Sequence, residues 1–381
     1  MASVDLAGTR TSERDAARAA DALVRDLVCE PKLFVFFAAR DLDHVALNRA
    51  LRARLPRTRL IGASTGRQID AQGQHEHGIV GAALTGDFEV GIGCARRLAR
   101  DPVRAGASAM LTACADLGVE PTDLSKRHVG MVVPDGYVGR NEELLLGMLE
   151  PNPGLALVGG GASDARVETP TSVIHVDDEV MDNAALLVLF QTDARWAAMR
   201  SHWYDPTGRH LTITKVDPLC RRALEIDGKP AAKRYAELLG VNVADLGWHS
   251  AAGFAKWPTA IAVGREYVVR APWKVLDDGS VLFANLVEEG MELEIMHARD
   301  LAGATRKFLA EEMAAKVGPP TAALVFTGAG RRWFSDVCGR TAEVSQAFAA
   351  APRAVGMESY FELYRGFSLN TTLSALVFGR S

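Results

Sequence analysis

An internal repeat constrains this chain more than any other feature. Three segments share one order of elements: a helical pattern, an apolar β-rich run, a second helix, a strand that meets a turn, and a closing apolar strand. In the first segment, residues 12–28 read as an Ala-rich helix with Ser12 as N-cap and Asp15 in its first turn. Residues 33–37 read as a strand, 43–54 as a helix stopped by Pro56, 59–66 as a strand ending in a glycine loop, and 78–84 as a strand. The second segment repeats this with a helix at 102–117, a strand at 128–133, a helix at 141–149, a strand and glycine loop at 155–163 and a strand at 184–190. The third has a helix at 301–316, a strand at 322–326, a helix at 341–350, a strand and turn at 353–360 and a strand at 372–378. The lead-in strands repeat as well, with 88–94 entering the second segment as 291–297 enters the third.

Gly62 and Gly159 are 97 residues apart, whereas Gly159 and Gly356 are 197 apart. About a hundred extra residues, roughly 195–297, therefore lie between the second and third segments. They are poorer in helix. Strand-like runs at 211–215, 261–263, 266–270 and 281–285 surround the hairpin turn Asp277-Asp278-Gly279-Ser280, and one helix spans about 230–239. The pattern predicts a mixed α/β fold: repeated helix–strand–helix–strand units around mixed sheets, with a more β-rich inserted segment.

Composition narrows the partners. Among 381 residues, 43 Lys and Arg face 47 Asp and Glu, so the net charge is −4, without the basic excess of a nucleic-acid binder. No apolar run reaches the length of a membrane span, and the first residues carry acidic groups in place of a secretory apolar core. Cys29, Cys94, Cys114, Cys220 and Cys338 are dispersed, as expected of reduced thiols in the cytoplasm.

Ligands of open α/β sheets bind beyond the carboxyl ends of strands. By this reading the loops at Gly62 to Gly66 and at Gly159, Gly160, Gly161 and Ala162 lie there, where bare backbone N–H groups can cradle an anion. Ser64, Thr65 and Ser163 add hydroxyl donors and Asp164 an acceptor. The same glycines also serve as plain tight turns. His75 and His77, two apart, can face one side of a strand as metal ligands, or sit in a solvated turn. Cys338 is read as opening the last helix, where a thiol is activated, and Arg340 as able to grip a carboxylate. Glu358 and Glu362 flank the third loop and either suit an ammonium group or are simply solvated. No nucleophile–base set assembles from the spacing.

Taken in order, several of these motifs resemble the FIST family. Ile61-Gly62-Ala63-Ser64-Thr65-Gly66 and Gly159-Gly160-Gly161-Ala162-Ser163-Asp164 are similar to the two glycine loops of FIST N-terminal domains. The stretch Glu225-Ile226-Asp227-Gly228-Lys229-Pro230, with Tyr235 and Gly240, resembles the lead into FIST C-terminal domains. Val287-Glu288-Glu289-Gly290, the 334–340 stretch, and Gly356 to Glu362 with Asn370, Thr371 and Thr372 fit the later pattern. The one departure is Phe361, where the family usually has glycine before the closing glutamate; a phenyl ring there narrows the pocket or alters the turn. The resemblance implies an N-terminal domain over 1–222 and a C-terminal domain over 223–381. It also implies a small-ligand sensor that acts in signal transduction on a separate partner, such as a sensor histidine kinase, since the pattern uses up the chain and leaves no output domain.

On that resemblance the expected ligand is an amino acid or small carboxylate. The backbone amides of the glycine loops at Gly62 and at Gly159 and Gly160, with Ser64, Thr65 and Arg340, would hold its anionic end, Ser163 and Asp164 would add a donor and an acceptor beside them, Glu362 would hold its cationic end, and Asn370 would bridge. A related branch binds haem and senses nitric oxide, which makes His202, His249 and His297 the axial candidates of a haem reading. A metal- or cysteine-dependent enzyme using Cys338 or the His75/His77 pair is the further alternative.

Overall fold

A computed structural model describes residues 1–166, 170–351 and 353–381. Strand Leu33–Ala39 shows how the core is partitioned. Every residue in it is buried, as in a strand covered on both faces. Alternation sends Leu33, Val35 and Phe37 into a central core, while Phe34, Phe36 and Ala38 pack under helices Ala16–Val24 and His44–Arg54. The same division holds in the other two repeats. Met131, Val133 and Val158 from the second, and Leu324, Phe326, Val355 and Met357 from the third, meet the first in one cluster. Three sheets thus face a common core, and each wears its helices outside.

Each unit has one plan. A parallel pair, joined by a helix, is flanked by a long antiparallel strand and then by a lead-in edge strand. In unit I the parallel pair is Leu33–Ala39 with Arg59–Thr65, the long strand Ile79–Gly86 and the edge Val4–Thr11. In unit II these are His128–Pro134 with Leu157–Gly160, Ala184–Thr192 and Phe88–Arg96. In unit III they are Ala322–Gly328 with Ala354–Ser359, Leu373–Gly379 and Arg195–Ser201.

After its second parallel strand, every unit sends a hairpin to a neighbour. Gln68–Asp70 and Gly73–His75 extend the sheet of unit III; Ile174–Val176 and Glu179–Met181 extend unit I; Glu362–Tyr364 and Phe367–Leu369 extend unit II. The three exchanges close a ring within one chain.

The insertion is a separate sheet, Thr259–Val263, Glu266–Arg270, Glu292–Ala298 and Tyr204–Val216 among its strands, with helix Ala231–Leu239 on its own core. It enters between the edge strand of unit III and the helical run 301–317. The lead-in counterpart of Phe88–Arg96 is therefore Arg195–Ser201, and not residues 291–297, which pair with Tyr204–Val216 inside the insertion. Two further expectations are corrected. The first helix starts at Ala16 with Asp15 as cap, its side chain accepting from Arg18 N, because residues 4–11 are taken as a strand. Cys338 closes helix Ala329–Val337, which the sequence did not suggest, and opens nothing.

Candidate functional site

The three turns after the second parallel strands converge, as the repeat requires. Gly62, Gly159 and Gly356 occupy one equivalent position, opposite Phe36, Val132 and Val325 in their parallel registers. A Cβ at any of them would approach that neighbour's carbonyl oxygen inside the 3.0 Å that real Cβ atoms respect. The glycines answer a close approach of strand on strand.

Past them the turns are stitched together. Ser64 Oγ donates to Ser163 O (3.1 Å), Ser163 N to Ser64 O (3.0 Å) and Ser163 Oγ to Glu358 O (2.6 Å), while Gly66 N donates to Ser163 Oγ (3.0 Å). Thr65 Oγ1 lies 2.8 Å from Glu358 O, and Gly161 N donates to Phe361 O at 2.9 Å. Ser64, Thr65, Ser163, Glu358 and Ser359 are all buried. Gly160 backs onto Ser359. Asp164 turns to its own loop, accepting from Arg166 and Thr171 N; burial opposes its ionisation, but these bonds hold its carboxyl below the usual range. Burial pushes the Glu358 carboxyl up, against Arg332, whose Nε lies 3.0 Å from both oxygens, and against Arg67.

The cavity lies to one side of this centre, beyond the carboxyl ends of strands His128–Pro134 and Ala322–Gly328 and under the inserted sheet. It holds about 310 Å³, at the small end of ligand pockets. Unit II supplies Tyr137 and Asn141, unit III supplies Trp333, Tyr360, Phe361, Asn370 and Thr371, and the insertion supplies Arg221, Trp248 and Trp273. The three indoles form one group: Trp333 is 4.7 Å from Trp273 and 5.9 Å from Trp248, centroid to centroid. Tyr137 and Tyr360 stand 4.7 Å apart.

Among the described residues no carboxylate lines the cavity. Arg221 donates to the carbonyls of Ala284 (3.2 Å) and Gly139, so its charge is held by neutral groups. Phe361 fills the room left by Gly161, where a Cβ would collide with the ring, and forms part of the cavity wall. Behind that wall Glu362 accepts from Thr372 N (2.8 Å), Thr372 Oγ1 (2.7 Å) and Ser359 Oγ (3.0 Å). Burial pushes its carboxyl up to about 8 against those bonds and nearby Arg331, whose own value burial lowers to about 10.

Of the residues singled out from sequence, Asn370 lines the cavity and Glu362 backs it. Gly62, Ser64, Thr65, Gly159, Gly160, Ser163 and Asp164 belong to the stitched centre or its rim. Arg340 is at the surface, bound to Glu343 at 2.7 Å. His75 Nε2 meets Asp70 Oδ1 at 2.8 Å, and Arg10 Nη1 lies 2.8 Å from its Nδ1; His77 lines a separate surface cleft. Among the described residues no group of three potential ligands could hold a metal. His249 is exposed, His297 lies against Trp257 at 4.4 Å, and burial lowers the pKa of His202; none of the three lines the cavity.

Sequence reasoning passed over Trp273 and Trp333. It also passed over a buried chain of hydrogen bonds at the junction of units I and II, from Asn48 through His175 to His44. The indoles lie in unrelated segments, and no local pattern joins them.

Comparison with known proteins agrees with the motif order. The model of the FIST N domain matches residues 32–229 and that of the FIST C domain residues 231–365. Among solved structures, the chain is similar to a cyanuric acid hydrolase from A. caulinodans, at 10% identity over all of both chains with a TM-score of 0.37. It is similar to a second cyanuric acid hydrolase structure at 9% identity, again over all of both chains, with a TM-score of 0.41. No curated protein matches the sequence.

Proposed function

The chain belongs to the FIST family, whose domains are associated with small-ligand sensing in signal transduction, and on that premise we propose that its ligand occupies the tryptophan-walled cavity between units II and III and the inserted sheet. The observation that carries this is the joining of three indoles and two phenols around one hollow by three separate parts of the chain. Such walls favour a flat ligand body. Arg221 takes an anionic or carbonyl end, a role first assigned to Arg340 and the glycine loops. Among the described residues Arg221 is the one charged side chain in the lining and repels an ammonium group, so a small carboxylate suits the site better than an amino acid.

Ligand binding ties the insertion to units II and III. Trp248 and Trp273 also line a surface cleft with Leu246, Val275 and Leu276, so a change in their packing reaches a surface that a separate partner, such as a sensor histidine kinase, can read. The five cysteines are free, which suits a reducing compartment such as the cytoplasm.

Tryptophan fluorescence tests the assignment. Titration with flat aromatic carboxylates is expected to give saturable quenching that Trp333→Leu weakens at least tenfold. Quenching undiminished in that variant, or none with any compound tested on folded protein, overturns it.

A further inference from the structure

The repeat gives units I and II the same junction, where the lead-in edge strand passes into the first helix. Val4–Thr11 runs into helix Ala16–Val24, and Phe88–Arg96 into helix Pro102–Leu117. Each junction forms the wall of a surface cleft. Both helices are capped by an aspartate, Asp15 accepting from Arg18 N (2.9 Å) and Asp101 from Arg104 N (3.1 Å). Counted from these caps, the same cations recur. An arginine precedes each cap, Arg14 and Arg100, and another follows three residues later, Arg18 and Arg104. In unit III the insertion separates the edge strand from its helix.

Unit I neutralises its cations. Arg14 meets Asp41 (2.8 Å), Arg18 meets Glu13 (3.4 Å) and Arg54 meets Asp21 (2.6 Å), with Glu13 and Asp21 both lining the cleft. Unit II keeps the arginines and drops the acids. The positions two before and six after the cap, Glu13 and Asp21 in unit I, are Ala99 and Ala107. Its cleft, about 680 Å³, is lined by Arg96, Arg97, Arg100 and Arg104 against Asp101, which is engaged as the cap. Arg96 pairs with Glu179 at 2.7 Å, but among the described residues Arg97, Arg100 and Arg104 meet no carboxylate. The loop that carries them is firmly held: Leu98 is buried, and Leu98 N (3.1 Å) and Ala99 N (2.9 Å) donate to the backbone and side-chain oxygens of Asn183. On a chain of net charge −4 such a hollow reverses the local field and draws anions.

We propose that this cleft binds a compact polyanion carrying two or more phosphate groups. Each guanidinium is a planar fork of donors that matches the oxygens of a phosphate in pairs. A lone carboxylate occupies one such fork and leaves the other cations unopposed, whereas a di- or triphosphate brings as many charges as Arg97, Arg100 and Arg104 offer. Ser108, one helical turn beyond Arg104, adds a neutral hydroxyl to the lining. The anion takes the place that Glu13 and Asp21 fill in unit I. The cleft shares no lining residue with the tryptophan-walled cavity, so the proposal stands apart from that assignment.

Calorimetry on the full chain tests it, with tripolyphosphate as probe, orthophosphate as the single group and citrate as a polyanion of carboxylates. Tripolyphosphate should bind at least about tenfold tighter than either, and more weakly as salt is raised. The decisive variant restores the acids of unit I. Ala99→Glu combined with Ala107→Asp leaves every arginine in place and should weaken tripolyphosphate at least about tenfold with the melting curve unchanged. Arg100→Gln combined with Arg104→Gln should have the same effect and stands in if the first pair folds poorly. Arg18→Gln, in the neutralised cleft of unit I, should leave affinity as it is. ATP separates the sources of the phosphates: binding as tight as tripolyphosphate or tighter points to a nucleotide, and weaker binding to an inorganic chain. Affinity undiminished in both paired variants, citrate bound as tightly as tripolyphosphate, or no tripolyphosphate binding at low salt each overturns the proposal.

Discussion

The stitched centre and the aromatic cavity lie close together and are built on opposite principles. At the centre three equivalent turns meet, and the groups they bring are the ones their neighbours need: hydroxyls on carbonyls, amides on hydroxyls, glycines where backbones touch. Repetition has made a self-satisfying knot. The cavity lies where repetition fails, beneath a sheet that only unit III admits, and there three indoles are left facing a hollow. Glycine-rich turns are therefore no guide to the ligand here; departures from the repeat are the better one.

The sharpest way to break this contrast is to damage each region separately. Gly159→Val places a branched side chain against Val132 O, and the backbone cannot retreat from it without parting the two parallel strands of unit II. Little or no folded protein is expected, a loss beyond about 4 kcal/mol, read by denaturant unfolding or recovery of soluble chain. Trp333→Leu, at a half-buried cavity wall, should fold and lose ligand quenching. A stable Gly159→Val protein would mean that the centre is looser than its contacts imply.

How far the sequence reveals these two regions follows from how local each one is. The βαβ pairs and the equivalence of Gly62, Gly159 and Gly356 were legible because strand alternation, helix period and glycine placement are written within a few residues. The exchange of hairpins was not, since Gln68–Asp70 carries no mark of the partner strand it joins. Helix Ala329–Val337 was hidden because its sequence, from Ala329 to Val337, mixes glycine, arginine and aromatics around a half-buried surface. Asn370 was found through its motif. Trp333, Trp273 and Tyr137 come from distant segments that only the closed ring and the inserted sheet bring together.

Glu362 stands between the two regions and reports on both. Its carboxyl ionises near 4.5 in the unfolded chain and is pushed up to about 8 in the fold by burial. The native state then holds a proton that the unfolded state releases, so stability is complete at low pH and falls as pH rises from about 4.5 through about 8. The loss amounts to about 5 kcal/mol. In Glu362→Gln this slope should vanish, and the unfolding free energy should stay level between pH 6 and 9. A wild type as flat as the variant would mean that Ser359, Thr372 and Arg331 keep the carboxylate ionised.

A somewhat smaller effect, of opposite sign, is expected where the hairpin of unit II docks on unit I. His44 Nε2 donates to Ala39 O (3.1 Å), so its Nδ1 accepts from His175 Nε2 (2.8 Å), and His175 Nδ1 accepts from Asn48 Nδ2 (3.1 Å). Each link holds one proton, and both rings are neutral. Burial, with Arg40 nearby, lowers His44 to about 4, and burial, with His44 beside it, lowers His175 well below its ordinary value. The unfolded chain takes up protons below about pH 6.5 while the native state refuses them, so stability falls as pH drops from 6.5 toward 4, by about 3 kcal/mol for His44 alone. Denaturant melts at pH 7.5 and 5 should show the loss, and His44→Leu paired with His175→Phe should remove most of it. This junction is remote from the cavity, so ligand affinity should not follow the same curve.

The smallest change probes the centre most cleanly. Ser163 Oγ accepts from Gly66 N of unit I and donates to Glu358 O of unit III, so one hydroxyl of unit II links all three. Ser163→Ala adds no bulk and leaves one buried N–H and one carbonyl without that partner. A loss of about 1–2 kcal/mol is expected, with ligand affinity within twofold of the wild type. If Ser163→Ala instead keeps its stability and loses the ligand, the hydroxyl was serving a bound molecule rather than its neighbours, and the functional site belongs at the centre of the ring rather than in the tryptophan-walled cavity.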